Sequence, residues 1–185
     1  MEKFIEVHDD VLPLWLVDKI EYTLTNEKSN ISYRYSSSTT FAPDHPNYSF
    51  SPGISHLFFN STPPYFSPQF SIFMQILYTF AYKRKILIEE CYSGRSFLDF
   101  PSCKSNEPVL PSHTDLNFPH WVCLYYANDT EGDTIFFDEN KKEIKRVQPK
   151  RGRIAFFNGL IHHCGSTSSK DIRALVNFDF IGEKL

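Results

Sequence analysis

The chain has 185 residues and a formal net charge of −3, with 41% hydrophobic and 16% aromatic residues. This size and apolar content fit one folded domain with a real core and exclude a disordered chain. The mild acidity argues against the basic footprint of a nucleic-acid binder, and no apolar run nears the roughly eighteen residues of a membrane-spanning helix.

Residues 10–26, "DVLPLWLVDKIEYTLTN", read as a helix. Asp10 is placed to cap it, Pro13 suits its first turn, and Leu16, Ile20 and Leu24 recur at helical spacing. Residues 27–66 are rich in Ser, Asn, Tyr and Pro with little periodicity, and read as one long packed loop. Residues 67–85, "SPQFSIFMQILYTFAYKRK", read as a second helix. Ser67 is its expected cap, Pro68 its first position, and Phe70, Phe73, Leu77 and Phe80 its apolar stripe. From Lys85 onward the period becomes two. Residues 85–92, 120–127, 133–137, 143–147, 152–158 and 173–181 read as short strands between Pro, Gly, Asn and Asp turns. Eighteen Phe and ten Tyr suit strands better than a helical bundle. The prediction is a mostly β sandwich or barrel with flanking helices. It is a single domain over 1–185, with helical and loop support in 1–84 and a β core in 85–181.

The four cysteines, Cys91, Cys103, Cys123 and Cys164, form no CxxC pair and no zinc-knuckle spacing. The opening "MEKFIEVHDD" lacks the apolar stretch of a secretory leader. A cytoplasmic protein with free thiols is therefore expected.

The chemistry concentrates in the β half. In "LPSHTDLNFPHW" (110–121), His113 and Asp115 are two residues apart, so an extended chain points both to one face. "FFNGLIHHCGS" (156–166) offers His162 and His163 as a third donor. Two imidazoles and a carboxylate on one face, with other positions open, suit a non-haem Fe(II) centre. Arg173 follows His163 by ten residues and shares a strand face with Leu175 and Asn177. A permanently charged fork there can hold the far end of a dicarboxylate.

The ordered segment "HTDLNFPHWVCLYYANDTEGDTIFF…VQPKRGRIAFFNGLIHHCGSTSSKDIRALVNFDF" resembles the 2-oxoglutarate and Fe(II)-dependent dioxygenases, in particular their prolyl 4-hydroxylase-like branch. The resemblance covers residues 85–181. It implies a double-stranded β-helix, a jelly-roll, cupin-like barrel. It also implies His113, Asp115 and His163 as iron ligands, with His163 preferred over His162 because it follows Phe157 by six residues and precedes Cys164 and Gly165. Arg173 matches the clamp on the distal carboxylate of 2-oxoglutarate, Tyr126 a supporting hydroxyl, and Tyr92 a tyrosine lining the cosubstrate pocket. The implied cofactors are Fe(II), 2-oxoglutarate and O2, with ascorbate supportive. The implied reaction hydroxylates a C–H bond of a peptidyl residue, proline among the candidates, or of a small molecule, and releases succinate and CO2.

Asp115 favours hydroxylation, because halogenating relatives replace this carboxylate. Asp179 stands where nucleic-acid-demethylating relatives carry a second Arg, so a nucleic-acid substrate is disfavoured. The loops 27–66 and 93–112 are expected to cover the mouth and choose the substrate. A non-catalytic metal- or ligand-binding barrel and a zinc-dependent hydrolase are the alternatives. Tyr92, Tyr125 and Tyr126 also suit plain core positions. His8, His45, His56 and His120 read as surface or loop residues, and residues 141–146 as a solvated turn and edge strand. Cys164 reads as a small packing residue beside the third ligand.

Overall fold

The computed structural model describes residues 4–37, 53–101, 112–166 and 168–185. His45, Cys103 and the central parts of both expected mouth loops lie outside these residues. Helix α1 spans Leu14–Thr25 and α2 spans Phe70–Arg84. Asp10 does not cap α1: it sits before the helix at φ 58°, and Pro13 occupies the cap position. Ser67 does not cap α2 either, because the helix begins later, after Gln69. Its hydroxyl accepts from the Gln69 backbone N–H at 3.1 Å and so shapes the entering turn. Lys83 and Arg84 close α2 where cations suit the helix dipole.

The strands are more numerous than alternation alone suggests. They are β1 (Ile5–His8), β2 (Arg34–Ser36), β3 (Gly53–Asn60), β4 (Tyr65–Phe66), β5 (Ile86–Asp99), β6 (Trp121–Tyr126), β7 (Thr134–Phe137), β8 (Glu143–Val147), β9 (Ile154–Asn158), β10 (His162–Gly165) and β11 (Arg173–Lys184). Two corrections follow. The segment 27–66 is not one loop, since it contributes β2, β3 and β4. The segment 93–112 is not a loop from its start, since β5 runs on to Asp99. The amino-terminal part thus supplies sheet strands as well as helical support.

The strands form two sheets. The large one has the order β1-β9-β6-β11-β5-β3-β2, with β4 attached to β3, and the small one has the order β10-β7-β8. Neighbouring strands are antiparallel throughout the recorded pairs. This is the double-stranded β-helix. The charged segment around 141–146 does hold an edge strand, β8, on the small sheet.

The large sheet is buried on both faces, and strict alternation divides its residues between two cores. Cys123, Tyr125, Ile154, Phe156, Val176, Phe178 and Phe180 pack against Leu16, Ile20, Phe73, Leu77 and Phe80 of the helices. Val122, Leu124, Tyr126, Ala155, Phe157 and Leu175 face the barrel interior with Phe136 and Val147 of the small sheet. This double burial explains why β6, β9 and most of β11 contain so few exposed residues. His56 is a buried member of the helix-side layer, contrary to its reading as a surface residue. Its Nδ1 lies 2.8 Å from the Ser32 carbonyl and its Nε2 3.0 Å from Ser67 Oγ. Among the described residues no helix is long and apolar enough to cross a membrane.

Arginines of the turn before β9 tie it to the helical layer. Arg153 donates to Asp9 through Nε at 2.7 Å and Nη2 at 2.9 Å, and Lys150 adds a bond at 3.2 Å. Arg151 reaches Asp18 and Glu21 on α1. The Arg153 hydrogen bond, with help from Lys150, holds the Asp9 carboxyl down at about 2 despite partial burial.

Two predictions arise here. A methyl at Gly94 would lie 2.3 Å from Phe58 Cε2 in the helix-side core, so Gly94→Ala should cost about 1–3 kcal/mol in urea denaturation. Asp9→Asn should cost about 1 kcal/mol near neutral pH, allowing for solvent screening. Because the folded-state pKa of Asp9 is depressed, that contribution is present above the unfolded value near 3.8 and is lost as pH falls through about 2. Wild type and variant should therefore converge in acid-denaturation curves below that point.

Candidate metal centre and anion pocket

His113 lies outside the named strands yet pairs with β10 through an isolated antiparallel bridge to His163. The two residues exchange both backbone hydrogen bonds, at 3.0 and 2.9 Å. Such a pair stands directly opposite, so both side chains rise on one face, and their ring centroids are 4.7 Å apart. Asp115, two residues on, brings its carboxylate between them. Oδ1 is 3.6 Å from His113 Nε2 and Oδ2 is 3.6 Å from His163 Nε2. Donor atoms of these three residues all lie within 4.8 Å of one another. Adjacent ligands around an ion with bonds of about 2.1 Å sit about 3 Å apart, so small movements suffice to close the group around a metal.

The rival histidine is turned away. His162 and His163 are neighbours in β10, so they face opposite sides of the small sheet. His163 is buried and His162 exposed. His163 is also set up as a donor: its Nδ1 lies 3.1 Å from the Ile161 carbonyl, which only accepts, so Nδ1 carries the proton and Nε2 keeps its lone pair. Phe157 packs edge-on to the ring at 4.9 Å. Burial pushes His163 down to about 4, with partial opposition from Asp115, so the ring is neutral near pH 7. Burial raises the Asp115 carboxyl, but His163 and His113 outweigh it and hold the group below the usual carboxylate range. An anionic carboxylate and a neutral imidazole are the forms that bind metal.

A second buried carboxyl adjoins the first. Asp179 accepts from Ser93 Oγ at 2.6 Å, and the Asn177 amide donates toward both Asp179 at 3.3 Å and Asp115 at 3.4 Å. Burial, and then Asp115, push Asp179 up to about 8. Two adjacent carboxylates cannot both ionise cheaply in a dry site, so Asp179 takes the proton and Asp115 the charge. His120, read from sequence as a surface residue, is buried here, and it groups with Asp115 and Asp179 within 4.8 Å.

Arg173 opens β11 and projects into the same cavity, whose walls also include Asp99, Thr134, Gly165, Leu175 and Asn177. It is only 3% exposed, and a buried guanidinium must be paired. Nε donates to the Gly132 carbonyl at 2.6 Å, Nη1 to Asp99 Oδ2 at 2.9 Å and Nη2 to Thr134 Oγ1 at 2.7 Å. A guanidinium has five N–H groups, so two remain beyond these three. A methyl at Gly165 would sit 3.1 Å from Nη1, so the absence of a side chain there leaves the guanidinium reachable. Thr134 also accepts from the Tyr126 hydroxyl at 2.7 Å. With both lone pairs engaged, its own proton is left to donate. Two guanidinium protons and one hydroxyl proton on a cavity wall suit a carboxylate.

The two tyrosines expected near a cosubstrate differ. Tyr126 is fully buried beneath the site, with Arg173 over its ring at 5.9 Å, and it acts on the cavity through Thr134. Burial lifts its hydroxyl to about 12, which keeps it a donor. Tyr92 is not among the cavity-lining residues, and its ring packs on Phe118 at 5.1 Å. Cys164 is buried beside His163 and lines the cavity, and burial pushes its thiol up to about 11, which keeps it protonated near neutral pH. Sequence reading missed Asp99, Thr134 and the Asp179–Asn177–Asp115 arrangement. The alternation Arg95, Phe97, Asp99 was a signal for Asp99, had β5 been extended.

No family model matches the chain, and no curated protein sequence does. Solved structures do. A 2OG-Fe(II) oxygenase family oxidoreductase from Burkholderia pseudomallei superposes with a TM-score of 0.68 at 6% identity, covering 95% of this chain and 84% of that one. The non-heme alpha-ketoglutarate-dependent epimerase SnoN from nogalamycin biosynthesis gives 0.66 at 10% identity, over 97% and 78% of the two chains. A viral collagen prolyl hydroxylase from Paramecium bursaria Chlorella virus-1, solved as a 2OG complex, gives 0.52 at 13% identity, over 97% and 96%. At such identities the likeness is one of fold: the chain has the double-stranded β-helix seen in these oxygenases.

The opposite facing of the two neighbouring histidines makes a sharp expectation. His163→Ala should remove Mn(II) binding measured by calorimetry, and His162→Ala should leave it intact. Loss in the His162 variant alone would mean that β10 presents its other face to the metal.

Proposed function

We propose that the protein is an Fe(II)- and 2-oxoglutarate-dependent dioxygenase that hydroxylates a C–H bond of a peptidyl residue or small molecule and releases succinate and CO2. The observation that carries the proposal is convergence. Two imidazoles and a carboxylate meet on one wall of a cavity, and a buried guanidinium with a spare hydroxyl donor sits on another wall of the same cavity. The structural neighbours, an alpha-ketoglutarate-dependent epimerase, an oxidoreductase of the 2OG-Fe(II) oxygenase family and a prolyl hydroxylase in complex with 2OG, support the same reading.

In this reading His113, Asp115 and His163 would hold a ferrous ion through their two imidazoles and one carboxylate. With 2-oxoglutarate and O2, the bound ion supplies oxidative decarboxylation and oxygen transfer to the substrate. The protein's own contribution is placement. Arg173 and Thr134 orient the distal carboxylate of the cosubstrate by charge-assisted hydrogen bonds. Tyr126 fixes Thr134 so that its proton faces the cavity. Leu124, Leu175 and Phe97 add apolar surface to the cavity wall. Asn177 and the protonated Asp179 steady Asp115 without adding a second negative charge to the metal pocket.

The test has two arms. Purified protein with Fe(II), ascorbate and 2-oxoglutarate should form succinate above background even without substrate. Arg173→Ala should weaken 2-oxoglutarate binding by about 100-fold or more and leave Mn(II) affinity within about twofold. A wild type that forms no succinate and binds no 2-oxoglutarate would sink the proposal. An Arg173 variant with undiminished hydrolytic activity would instead indicate the zinc hydrolase.

A further inference from the structure

The guanidinium that the proposed function assigns to the cosubstrate already holds a carboxylate. Asp99 ends β5 and stands directly opposite Arg173 in the β5–β11 register. Its Oδ2 accepts from Arg173 Nη1 at 2.9 Å, with the Arg173 side chain 3% exposed and that of Asp99 16% exposed. Both residues line the cavity. A 2-oxo diacid anchored on Arg173 would therefore place its distal carboxylate close to a fixed carboxylate of the protein. Like charges at that range, in a site shielded from water, oppose each other. A 2-oxo acid with an uncharged distal end meets no such opposition.

Resting on the reading above, we infer that Asp99 is a specificity-determining residue of the cosubstrate subsite. It is a built-in carboxylate with which any incoming diacid must share Arg173. It lowers affinity for 2-oxo diacids selectively and narrows the gap between diacids and 2-oxo monoacids. The geometry leaves room for sharing, since Asp99 engages one N–H of Nη1, and two guanidinium protons and the Thr134 hydroxyl remain.

The experiment measures binding, not turnover. The Mn(II)-loaded protein is titrated calorimetrically, without oxygen, with 2-oxoglutarate and with 2-oxobutyrate, which lacks the distal carboxylate. Asp99→Asn keeps the side-chain shape and removes the charge. It should tighten 2-oxoglutarate by about tenfold or more and leave 2-oxobutyrate within about twofold. Asp99→Ser removes the charge without adding an amide donor, and it should show the same selective gain. It also stands in if the Asn variant does not fold. Unchanged or weaker 2-oxoglutarate binding in a folded variant overturns the inference while leaving the proposed function intact. Equal tightening of both acids also overturns it, because the effect would then lie elsewhere than the distal carboxylate. Failure of wild type and both variants to bind either acid, with Mn(II) bound, is a different outcome: it sinks the cosubstrate reading and this inference with it.

Discussion

Alternation along β11 is the constraint from which the rest of the site follows. Ala174, Val176, Phe178 and Phe180 face the helices and anchor the strand in an apolar layer. The intervening residues, Arg173, Leu175, Asn177 and Asp179, face the barrel. Only a strand so firmly held on one side can carry three polar groups into a buried cavity on the other. Partners then come from neighbouring elements, Asp99 and Thr134 for the guanidinium, Ser93 for the carboxyl and Asp115 for the amide nitrogen, which also donates to Asp179 within the row. These bonds hold the donors of the row inside the cavity, and among the described residues Asn177 Oδ1 is the acceptor of the row left without a partner.

The metal-facing group relies on a smaller device. One pair of reciprocal backbone hydrogen bonds joins His113 to His163 and so brings together residues fifty apart in sequence. Asp115 then arrives by simple period-two geometry. Charge is arranged with the same economy. The cavity contains Asp99, Asp115 and Asp179, but one is paired with Arg173 and another is protonated near neutral pH. Among the described lining residues Asp115 is the one carboxylate left without a guanidinium partner or a proton, where a cation would bind.

Much of this was legible in the sequence because it rests on short-range periodicity. The HxD pair, the His162–His163 pair after "FFNGLI" and the arginine ten residues beyond His163 announce themselves by spacing. The resemblance favoured His163 over His162, and the physical reason came with β10, which buries one ring and exposes the other although its four residues carry almost no strand signal of their own. Asp99 could not be read as a partner of Arg173, because the pair exists only through the register of β5 against β11, which brings together residues 74 apart in sequence. His56 was misread for a related reason. A histidine is drawn into a core when a carbonyl or hydroxyl meets its ring nitrogens, and those partners come from elsewhere in the fold: Ser32 and Ser67 for His56. The strands within 27–66 were obscured by Ser, Asn and Pro. β3 pairs with β5, and β2 and β4 with β3, so their strand form is supplied by the sheet and not by local preference.

The position of β11 has a further consequence for how the molecule is built. It follows every other described strand in the sequence, yet it sits between β5 and β6 in the large sheet. Until it docks, those two strands present unsatisfied backbone edges to each other and to other chains. Its insertion therefore closes the gap at the centre of the sheet and completes the polar wall of the cavity in one step. Topology of this kind, dominated by distant pairings, makes for slow assembly and a vulnerable interval during synthesis. A nascent chain acquires its chemistry and its protection from aggregation at the same moment.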